Sequence, residues 1–265
     1  MKLTLIITTY NWPEALLLVI ESVKLQSIKP DEVIIADDGS SKETKDLINH
    51  IYNNSGMNII HSWQEDIGFR AARSRNNAIL KSSGEYIILV DGDSILHHKF
   101  LEDHVNHAEF GFFVQGSRVL LSQKQTKKAL FDRLFNFSFF SLGLKNRKNS
   151  IHSKLLSLIF LNKKNHLHGI KSCNMAFYRN DCLNINGFNN EFEGWGREDS
   201  DFVVRLINSG IKRKTIRFNM IQFHLWHNES SRSSLKRNDE ILKNSINSRN
   251  HWCEDGINLM KKNES

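Results

Sequence analysis

Cysteine is scarce in this sequence of 265 residues, which has only Cys173, Cys182 and Cys253. An odd and widely spaced set provides neither a disulfide framework nor the close spacing of zinc ligands. The scarcity excludes a disulfide-stabilised secreted scaffold, and we expect a protein that works in the reducing environment of the cytoplasm.

Long apolar runs are also missing. No stretch of about 20 uninterrupted apolar residues occurs, which excludes a membrane-spanning helix. The first apolar run, Leu3–Thr9, is too short for a secretory signal and leads directly into a polar turn, so we interpret it as a strand. With 40% hydrophobic and 25% charged residues, the composition is that of a soluble protein with a buried core. We expect a single domain with an insertion.

The chain has a formal net charge of +7, and acidic residues are sparse between residues 124 and 164. Residues 124–164 contain ten Lys or Arg against one acid, Asp132, with apolar clusters between the charges. This interleaving favours binding to an anionic membrane surface over nucleic acid, for which no binding motif is present. A buried helical insertion with a solvated basic face explains the pattern equally well, and both interpretations remain open at this point.

The first ninety residues alternate short apolar runs with amphipathic stretches. This βαβαβαβ order predicts an α/β fold with a mostly parallel central sheet flanked by helices. The predicted strands lie at 3–9, 33–36, 58–62 and 86–90, and the predicted helices at 14–26, 42–52 and 70–82. After this first half, residues 1–120, we expect a basic amphipathic insertion at 121–168 (the basic insertion), a second compact stretch at 169–233 and a helical tail at 234–265.

Polar residues directly follow three of the predicted strands. Ligands of open parallel sheets collect at the carboxyl ends of the strands, so these residues are candidates for a binding site. Asp91 and Asp93 end the fourth strand on either side of Gly92, and carboxylate oxygens suit Mn²⁺ or Mg²⁺. Taken alone, Asp-Gly-Asp also fits an ordinary turn. The other candidates are Thr8, Thr9, Tyr10 and Asn11 after the first strand, and Asp37 and Asp38 after the second.

Taken in this order, the three segments resemble family 2 glycosyltransferases of the GT-A fold, a Rossmann-like architecture. The resemblance covers residues 1 to about 120 and implies a UDP-sugar donor and a divalent cation. It implies that residues 8–11 lie beside the base and ribose and that an aspartate of the Asp37-Asp38 pair accepts from the uracil imide. It also implies that Asp91-Gly92-Asp93 holds ribose and metal.

Residues 68–79 look like the helix that, in this family, follows the third strand and faces the diphosphate. Guanidinium groups bind phosphate bidentately, and a helix start adds a favourable dipole. Arg70 is therefore our first candidate for the diphosphate and Arg73 our second. For Arg75 we expect a solvated position on the helix surface, because most helix charges meet water.

The most specific segment is residues 185–201, INGFNNEFEGWGREDSD. It is similar to the acceptor and base motif of family 7 β-1,4-galactosyltransferases and of bacterial chondroitin-type polymerases. The resemblance implies that Gly194-Trp195-Gly196 presents an aromatic platform to an acceptor sugar, that Glu198 binds an acceptor hydroxyl at the catalytic centre, and that Asp199 is the general base. Ser200 departs from the galactosyltransferase motif, which has another acid there. The alternative role for such acids is stabilisation of a helix start.

His224 and His227 follow a strand-like run and are three positions apart. A histidine pair beside Trp226 at this point of the chain resembles the place where related enzymes supply an imidazole to the metal, so we expect His227 first and His224 second to join Asp93 and Asp91 around a cation. Asn174, before a predicted buried strand, is a candidate contact to the donor or acceptor sugar, and packing explains it equally well. The histidines that we expect at the surface without a role are His61, His97, His98, His104 and His107.

These observations predict an inverting, metal-dependent enzyme that moves a hexose or N-acetylhexosamine from a UDP-sugar to a glycan or glycolipid hydroxyl, in bacterial surface polysaccharide or lipopolysaccharide synthesis. We expect it in the cytoplasm, peripheral at the inner face of the membrane. The alternatives are a noncatalytic carbohydrate-binding protein that retains the fold and a sugar nucleotidyltransferase. The lack of a glycine-rich, lysine-containing phosphate loop after the first strand counts against the nucleotidyltransferase.

Overall fold

The computed structural model describes residues 1–229 and 231–263. Its strands, in chain order, are β1 (Leu3–Thr9), β2 (Glu32–Asp37), β3 (Ile59–Trp63), β4 (Tyr86–Asp91), β5 (Ser94–Leu96), β6 (Phe112–Gln115), β7 (Val119–Leu121), β8 (Leu144–Lys145), β9 (Asn174–Tyr178), β10 (Lys212–Thr215) and β11 (Gln222–His224). Its α-helices are α1 (Pro13–Lys24), α2 (Lys42–Asn54), α3 (Ala71–Lys81), α4 (Phe100–His107), α5 (Gln123–Asp132), α6 (Lys154–Ile159), α7 (Arg179–Asn184), α8 (Glu198–Asn208), α9 (Leu235–Ser248) and α10 (Ile257–Asn263).

The large sheet has the strand order β10-β6-β9-β4-β1-β2-β3. Strands β4, β1, β2 and β3 run parallel to one another, and β10 runs parallel to β6. Strand β9 lies antiparallel between β4 and β6. The predicted α/β fold with a mostly parallel sheet is therefore confirmed.

The register of the central strands brings the predicted site residues to one edge. Thr9 of β1 lies opposite Asp37 of β2, and Thr8 lies opposite Asp91 of β4. Parallel strands that are covered on both faces read as nearly continuous apolar runs, which is the pattern of β1, β2 and β4. Their polar carboxyl ends consequently meet at the same edge.

Helices cover both faces of this sheet. Successive side chains of a strand point to opposite faces, so Leu5 and Ile7 pack in one core cluster with α1 and α2. Ile6 lies in the other cluster, together with Ile79 of α3 and Phe202 of α8. Thus α3 and α8 share one face of the sheet, and the amino-terminal ends of these two helices carry most of the remaining predicted site residues.

A small sheet with the order β5-β11-β7-β8 adjoins the carboxyl end of β4. Asp93 lies between β4 and β5, and its carbonyl accepts a hydrogen bond from Leu225 N at 2.9 Å. Within the sheet His224 of β11 lies opposite Ser94 of β5. This pairing holds the end of β11 beside the turn that follows β4.

The basic insertion is only partly helical. It contains α5, α6, a 3-10 turn at Arg147–Ser150 and the short strand β8, which pairs with β7. The predicted carboxyl-terminal tail is helical over α9 and α10. Within residues 1–229 and 231–263, no helix combines the length and the apolar character needed to cross a bilayer.

Candidate functional site

The aspartates at the end of β2 are buried and held by hydrogen bonds. Asp37 Oδ1 accepts from Ser40 N at 2.8 Å, and Asp37 Oδ2 lies 2.8 Å from His61 Nε2. Asp38 accepts from the Gln64 side-chain amide at 2.6 Å and from Arg70 N at 2.7 Å. Burial raises the pKa of Asp38, and these hydrogen bonds act in the opposite direction. The pair thus connects the end of β2 to the start of α3.

The loop after β1 is fixed against the same segment. Asn11 adopts a left-handed conformation with φ of 44°, and its side-chain oxygen accepts from Ser41 N at 2.8 Å. Tyr10 donates its hydroxyl hydrogen to Asp66 Oδ2 at 3.0 Å, which raises the pKa of Tyr10. Its ring is half exposed at the rim, so residues 8–11 present one aromatic surface above the strand ends.

The turn after β4 is tight because Gly92 lies against β1. Gly92 N donates to Thr8 O at 2.7 Å, and a Cβ atom at position 92 would lie 3.0 Å from that oxygen. A larger residue at position 92 would therefore require β1 or the turn to shift by a few tenths of an ångström. Burial raises the pKa of Asp91, the negative charge of Asp93 raises it further, and Arg75 lowers it.

Three of the four predicted metal ligands come together, namely Asp93, His224 and His227 (the cation group). His224 Nε2 lies 3.4 Å from Asp93 Oδ1, and His227 Nε2 lies 3.4 Å from Asp93 Oδ2. His224 Nδ1 lies 2.7 Å from Leu225 O, and His227 Nδ1 lies 2.7 Å from Asn228 O. A hydrogen on Nδ1 that bonds this oxygen leaves the Nε2 lone pair facing Asp93.

The chemistry of this group fits a divalent transition metal. One ligand atom from each of the three residues lies within 4.8 Å of the others, and Asp93 Oδ1 is buried without a hydrogen-bond partner among the described residues. One carboxylate and two imidazoles form a mixed oxygen and nitrogen ligand set, which divalent transition metals accept. The predicted fourth ligand, Asp91, lies outside the group and faces Arg75.

Arg75 overturns our expectation of a solvated helix charge. Its side chain is only 5% exposed, Nη1 lies 3.1 Å from Glu198 Oε1, and Nη2 lies 3.9 Å from Asp91 Oδ1. The guanidinium also lies over the ring of Phe188, 5.5 Å from its centroid. A signal for burial is present in the sequence, because residues 71, 75, 78 and 79 share one face of a helix and the other three are apolar.

The two arginines that we favoured for the diphosphate differ in placement. Arg70 lies at the start of α3, and its Nη2 donates to Glu65 O at 2.5 Å. Its Nε is buried without a partner among the described residues, so one donor of the guanidinium group has no acceptor there. Arg73 is exposed on α3, and the structure gives it no contact with the strand-end residues.

The glycine turn before α8 depends on positive backbone angles. Gly194 and Gly196 have φ of 73° and 102°, and a Cβ at Gly194 would lie 2.4 Å from Ser234 Oγ. The amide of Asn238 in α9 donates to the carbonyls of Glu193 and Gly196 at 3.1 and 2.9 Å. These hydrogen bonds hold the turn in place, and Trp195 within it is 42% exposed.

Asp199 lies at the start of α8, next to the Glu198 that pairs with Arg75. Burial raises the pKa of Asp199 to about 7, the charge of Glu198 adds to the rise, and Arg75 opposes it. Ser200 Oγ donates to Asp199 Oδ1 at 3.2 Å. A carboxyl group with a pKa near neutral suits a general base.

Asn174 is not brought to this cleft. Its Nδ2 donates to Ser117 O and Met220 O at 2.7 and 2.8 Å, and its Oδ1 lies 3.0 Å from His104 Nε2. Every polar atom of the side chain thus has a buried partner, and the predicted sugar contact gives way to a packing role. The expectation of surface histidines is also wrong for His104 and His107, which are buried.

Two family models match the chain. The model for glycosyl transferase family 2 matches residues 4–183, and the model for the N-terminal domain of galactosyltransferase matches residues 156–228. The second range contains Trp195, Asp199 and both histidines of the cation group. Both resemblances that the sequence indicated are therefore confirmed.

Curated relatives and a solved structure agree with this result. The hyaluronan synthase of Pasteurella multocida is 28% identical over 233 residues, and the chondroitin synthase of Escherichia coli is 23% identical over 231 residues. The alignments cover 81% and 78% of this chain but only 24% and 32% of the synthases, so the chain spans about a third or less of their length.

The structure of S. aureus TarS 1-349 in complex with UDP-GlcNAc aligns with a TM-score of 0.61 and 18% identity, over 86% of this chain and 60% of that one. This likeness confirms the predicted GT-A fold. Because the family 2 model spans more than half of the chain, from β1 through α7, the chain belongs to glycosyl transferase family 2.

Proposed function

We propose that this chain is an inverting, metal-dependent glycosyltransferase that moves a hexose or N-acetylhexosamine from a UDP-sugar to a hydroxyl of a glycan or glycolipid. One observation carries the proposal. The buried guanidinium of Arg75 contacts Asp91 at the end of β4, next to the cation group, and Glu198 at the start of α8. Asp199, whose pKa is raised, follows Glu198 directly. The relatives named hyaluronan and chondroitin synthase, and the TarS complex with UDP-GlcNAc, support a UDP-sugar donor and a role in bacterial polysaccharide synthesis.

The donor nucleotide would bind where β1, β2 and β4 end. The half-exposed ring of Tyr10 can stack on a uracil base. Asp37 and Asp38 lie beside this loop, since Asp38 N donates to Thr9 O at 3.1 Å, and a carboxylate accepts the hydrogen of an imide. Arg70, at the start of α3, supplies positive charge and N–H donors on the side that faces the diphosphate in this proposal.

Asp93, His224 and His227 would hold the cation. The tautomer that their Nδ1 contacts favour directs both Nε2 lone pairs toward the carboxylate, so the site is preorganised before metal binds. When bound, Mn²⁺ or Mg²⁺ supplies positive charge that stabilises a departing nucleoside diphosphate. Asp91, which faces Arg75 instead, remains available to the ribose.

Asp199 would accept the proton of the acceptor hydroxyl. The acceptor oxygen forms a bond to the anomeric carbon while the bond between that carbon and the phosphate oxygen breaks, and the electron pair leaves with UDP. A single displacement of this kind inverts the anomeric configuration. Glu198 can bind a second acceptor hydroxyl through the oxygen that does not face Arg75.

Trp195 would provide the acceptor platform. Its exposed indole offers a flat apolar surface for a sugar ring. Arg232 lies over this ring, with its guanidinium carbon 5.3 Å from the centroid, so an acceptor sugar either displaces Arg232 or binds beside it. The hydrogen bonds from Asn238 to the carbonyls of Glu193 and Gly196 hold the turn that carries the platform.

A UDP-release screen across UDP-sugars, with Mn²⁺, with Mg²⁺ and with EDTA, tests this function. We expect UDP release from at least one donor in the presence of metal, including slow hydrolysis without acceptor, and none in EDTA. Asp93→Asn keeps the side-chain shape and removes the ligand charge, so its metal-dependent UDP release should fall below that of the wild type.

Sugar-binding and pyrophosphate-release assays, run beside this screen, separate the competing functions. Sugar binding without UDP release from any donor would support a noncatalytic carbohydrate-binding protein. Pyrophosphate release from UTP and a sugar phosphate would support a nucleotidyltransferase. Either outcome would contradict the proposal.

A further inference from the structure

Helix α6 in the basic insertion exposes its apolar side. Leu155, Leu158 and Ile159 share one face, and they are 69%, 65% and 64% exposed. The buried residue of the helix is Ser157, whose hydroxyl donates to Lys154 O at 2.8 Å. A surface helix of a soluble protein normally turns its apolar face to the core, so this reversed orientation indicates a partner.

A second set of exposed apolar side chains lies at the other end of the insertion. Phe131, Phe140 and Leu142 are between 78% and 89% exposed. Phe131 lies in the last turn of α5, and the loop that carries Phe140 and Leu142 is held to the same helix, because Gln125 Nε2 donates to Leu142 O at 2.6 Å. Exposed apolar side chains concentrated in one segment mark an interaction site more often than scattered ones do.

Positive charge accompanies both apolar sets. Of the ten Lys and Arg in residues 124–164, three pair with carboxylates, namely Arg133 with Glu21, Lys154 with Glu102 and Lys163 with Glu109. The described residues supply no carboxylate for the other seven. Exposed apolar side chains accompanied by unpaired cations match a partner that is apolar inside and negatively charged outside.

We propose that the basic insertion docks on an anionic lipid bilayer. The outward side chains of α6 and of residues 131–142 enter the headgroup boundary, and the unpaired lysines contact lipid phosphates. Charge favours a bilayer over a second copy of the chain, because a symmetric dimer through this surface would bring two strongly basic segments together.

The small sheet connects this surface to the cation group. Trp226 N, next to His227, donates to Thr126 Oγ1 of α5 at 2.7 Å, and His224 of β11 lies opposite Leu120 of β7. Docking therefore places the cleft close to the bilayer, where a lipid-linked acceptor would be presented. This last consequence rests on the proposed function, whereas docking itself does not.

Vesicle co-sedimentation of the full chain tests the proposal. Vesicles of phosphatidylcholine alone are compared with vesicles that also contain phosphatidylglycerol, at low and high salt. We expect binding to the anionic vesicles that weakens as salt rises.

Two matched pairs of variants separate the apolar from the charged contribution. Leu158→Ser/Ile159→Ser should weaken binding at least about tenfold, while Leu25→Ser/Ile246→Ser, which changes exposed residues elsewhere, should not. Lys127→Gln/Lys128→Gln should weaken binding about tenfold or more at low salt, and Lys42→Gln/Lys45→Gln, which removes equal charge from α2, should have little effect.

Three outcomes would overturn the proposal. They are no sedimentation with either vesicle, equal sedimentation with neutral and anionic vesicles, and equal effects of the test and control variants. A concentration-dependent dimer that Leu158→Ser/Ile159→Ser converts to a monomer, without vesicle binding, would assign the surface to a second copy instead. UDP release in solution is measured alongside, so that loss of docking and loss of the proposed activity are distinguished.

Discussion

Arg75 Nη1 and Glu198 Oε1 lie 3.1 Å apart, although the two residues are separated by 123 positions. This contact ties α3, in the first half of the chain, to α8, which carries Asp199. Arg75 Nη2 also lies 3.9 Å from Asp91 Oδ1, so one buried cation lies between the carboxylates at the strand end and those at the helix start. Its removal should therefore affect both stability and catalysis.

Replacement of Arg75 by methionine should destabilise the fold. Breaking a buried ion pair leaves Glu198 without its partner and typically costs roughly 3–5 kcal/mol. Arg73→Met on the exposed face of the same helix should change the free energy of unfolding by less than about 0.5 kcal/mol. Urea denaturation of both variants checks this, and equal midpoints would place Arg75 outside the buried network.

The pH dependence of turnover should report the ionisation of Asp199. A base acts in its deprotonated form, and the pKa of Asp199 is raised to about 7, so kcat/KM should rise as pH increases through about 7 and then level off. Arg75 stabilises the ionised carboxylate, so Arg75→Met should move the inflection to higher pH. Glu198→Gln removes a neighbouring negative charge and should move it to lower pH. The pH–rate profiles of the three proteins check these signs, and shifts in the same direction would contradict them.

Asp199→Asn should separate catalysis from donor binding. A positioned base contributes about 10²–10⁴ in rate, so we expect turnover to fall by that factor. UDP affinity in the presence of Mn²⁺ should stay within about twofold, because Asp199 lies on the acceptor side of Arg75 in this account. Steady-state kinetics and calorimetry measure the two quantities. Unchanged turnover would refute the assignment of the base.

Loss of a single ligand should weaken metal binding. His227→Ala and Asp93→Asn each remove one of three ligand groups, and we expect the affinity for Mn²⁺ to fall at least about tenfold. His50→Ala, an exposed histidine on α2, is the control. Titration of Mn²⁺ followed by electron paramagnetic resonance measures the affinity. Wild-type affinity in both test variants would mean that metal binds elsewhere.

Asn174→Ala should act on stability and spare donor binding. The substitution leaves His104, Ser117 O and Met220 O without their hydrogen-bond partner, and an unsatisfied buried group costs about 1–3 kcal/mol. Asn53→Ala on the exposed side of α2 serves as the control. Thermal unfolding measures the loss of stability, and UDP titration measures donor binding. A stable variant with lost UDP binding would return Asn174 to the site.

The sequence predicted the parts of this fold that depend on local pattern. Apolar runs ending in polar residues indicated β1, β2 and β4, and parallel pairing then required their ends to meet at one edge. The antiparallel insertion of β9 between β4 and β6 was not predictable in this way. A short buried strand reads the same in either direction, and its neighbours lie far away in sequence.

Arg75 and His104 were misjudged for a related reason. Charged and titratable side chains are usually solvated, and that expectation outweighed the helical spacing that places Arg75 on the apolar face of α3. Its burial depends on Glu198, and the burial of His104 depends on Asn174. Those partners are distant in sequence, so only the tertiary structure reveals that each polar group is satisfied.

A crystal structure of the chain with Mn²⁺ and UDP, with the metal located by its anomalous signal, tests the central claim most directly. The account predicts one ion within about 2.0–2.3 Å of Asp93 and both histidine Nε2 atoms, with the UDP diphosphate on the side of the cleft that faces Asp199. An ion bound away from Asp93, or a diphosphate separated from Asp199 by the body of the sheet, would contradict it.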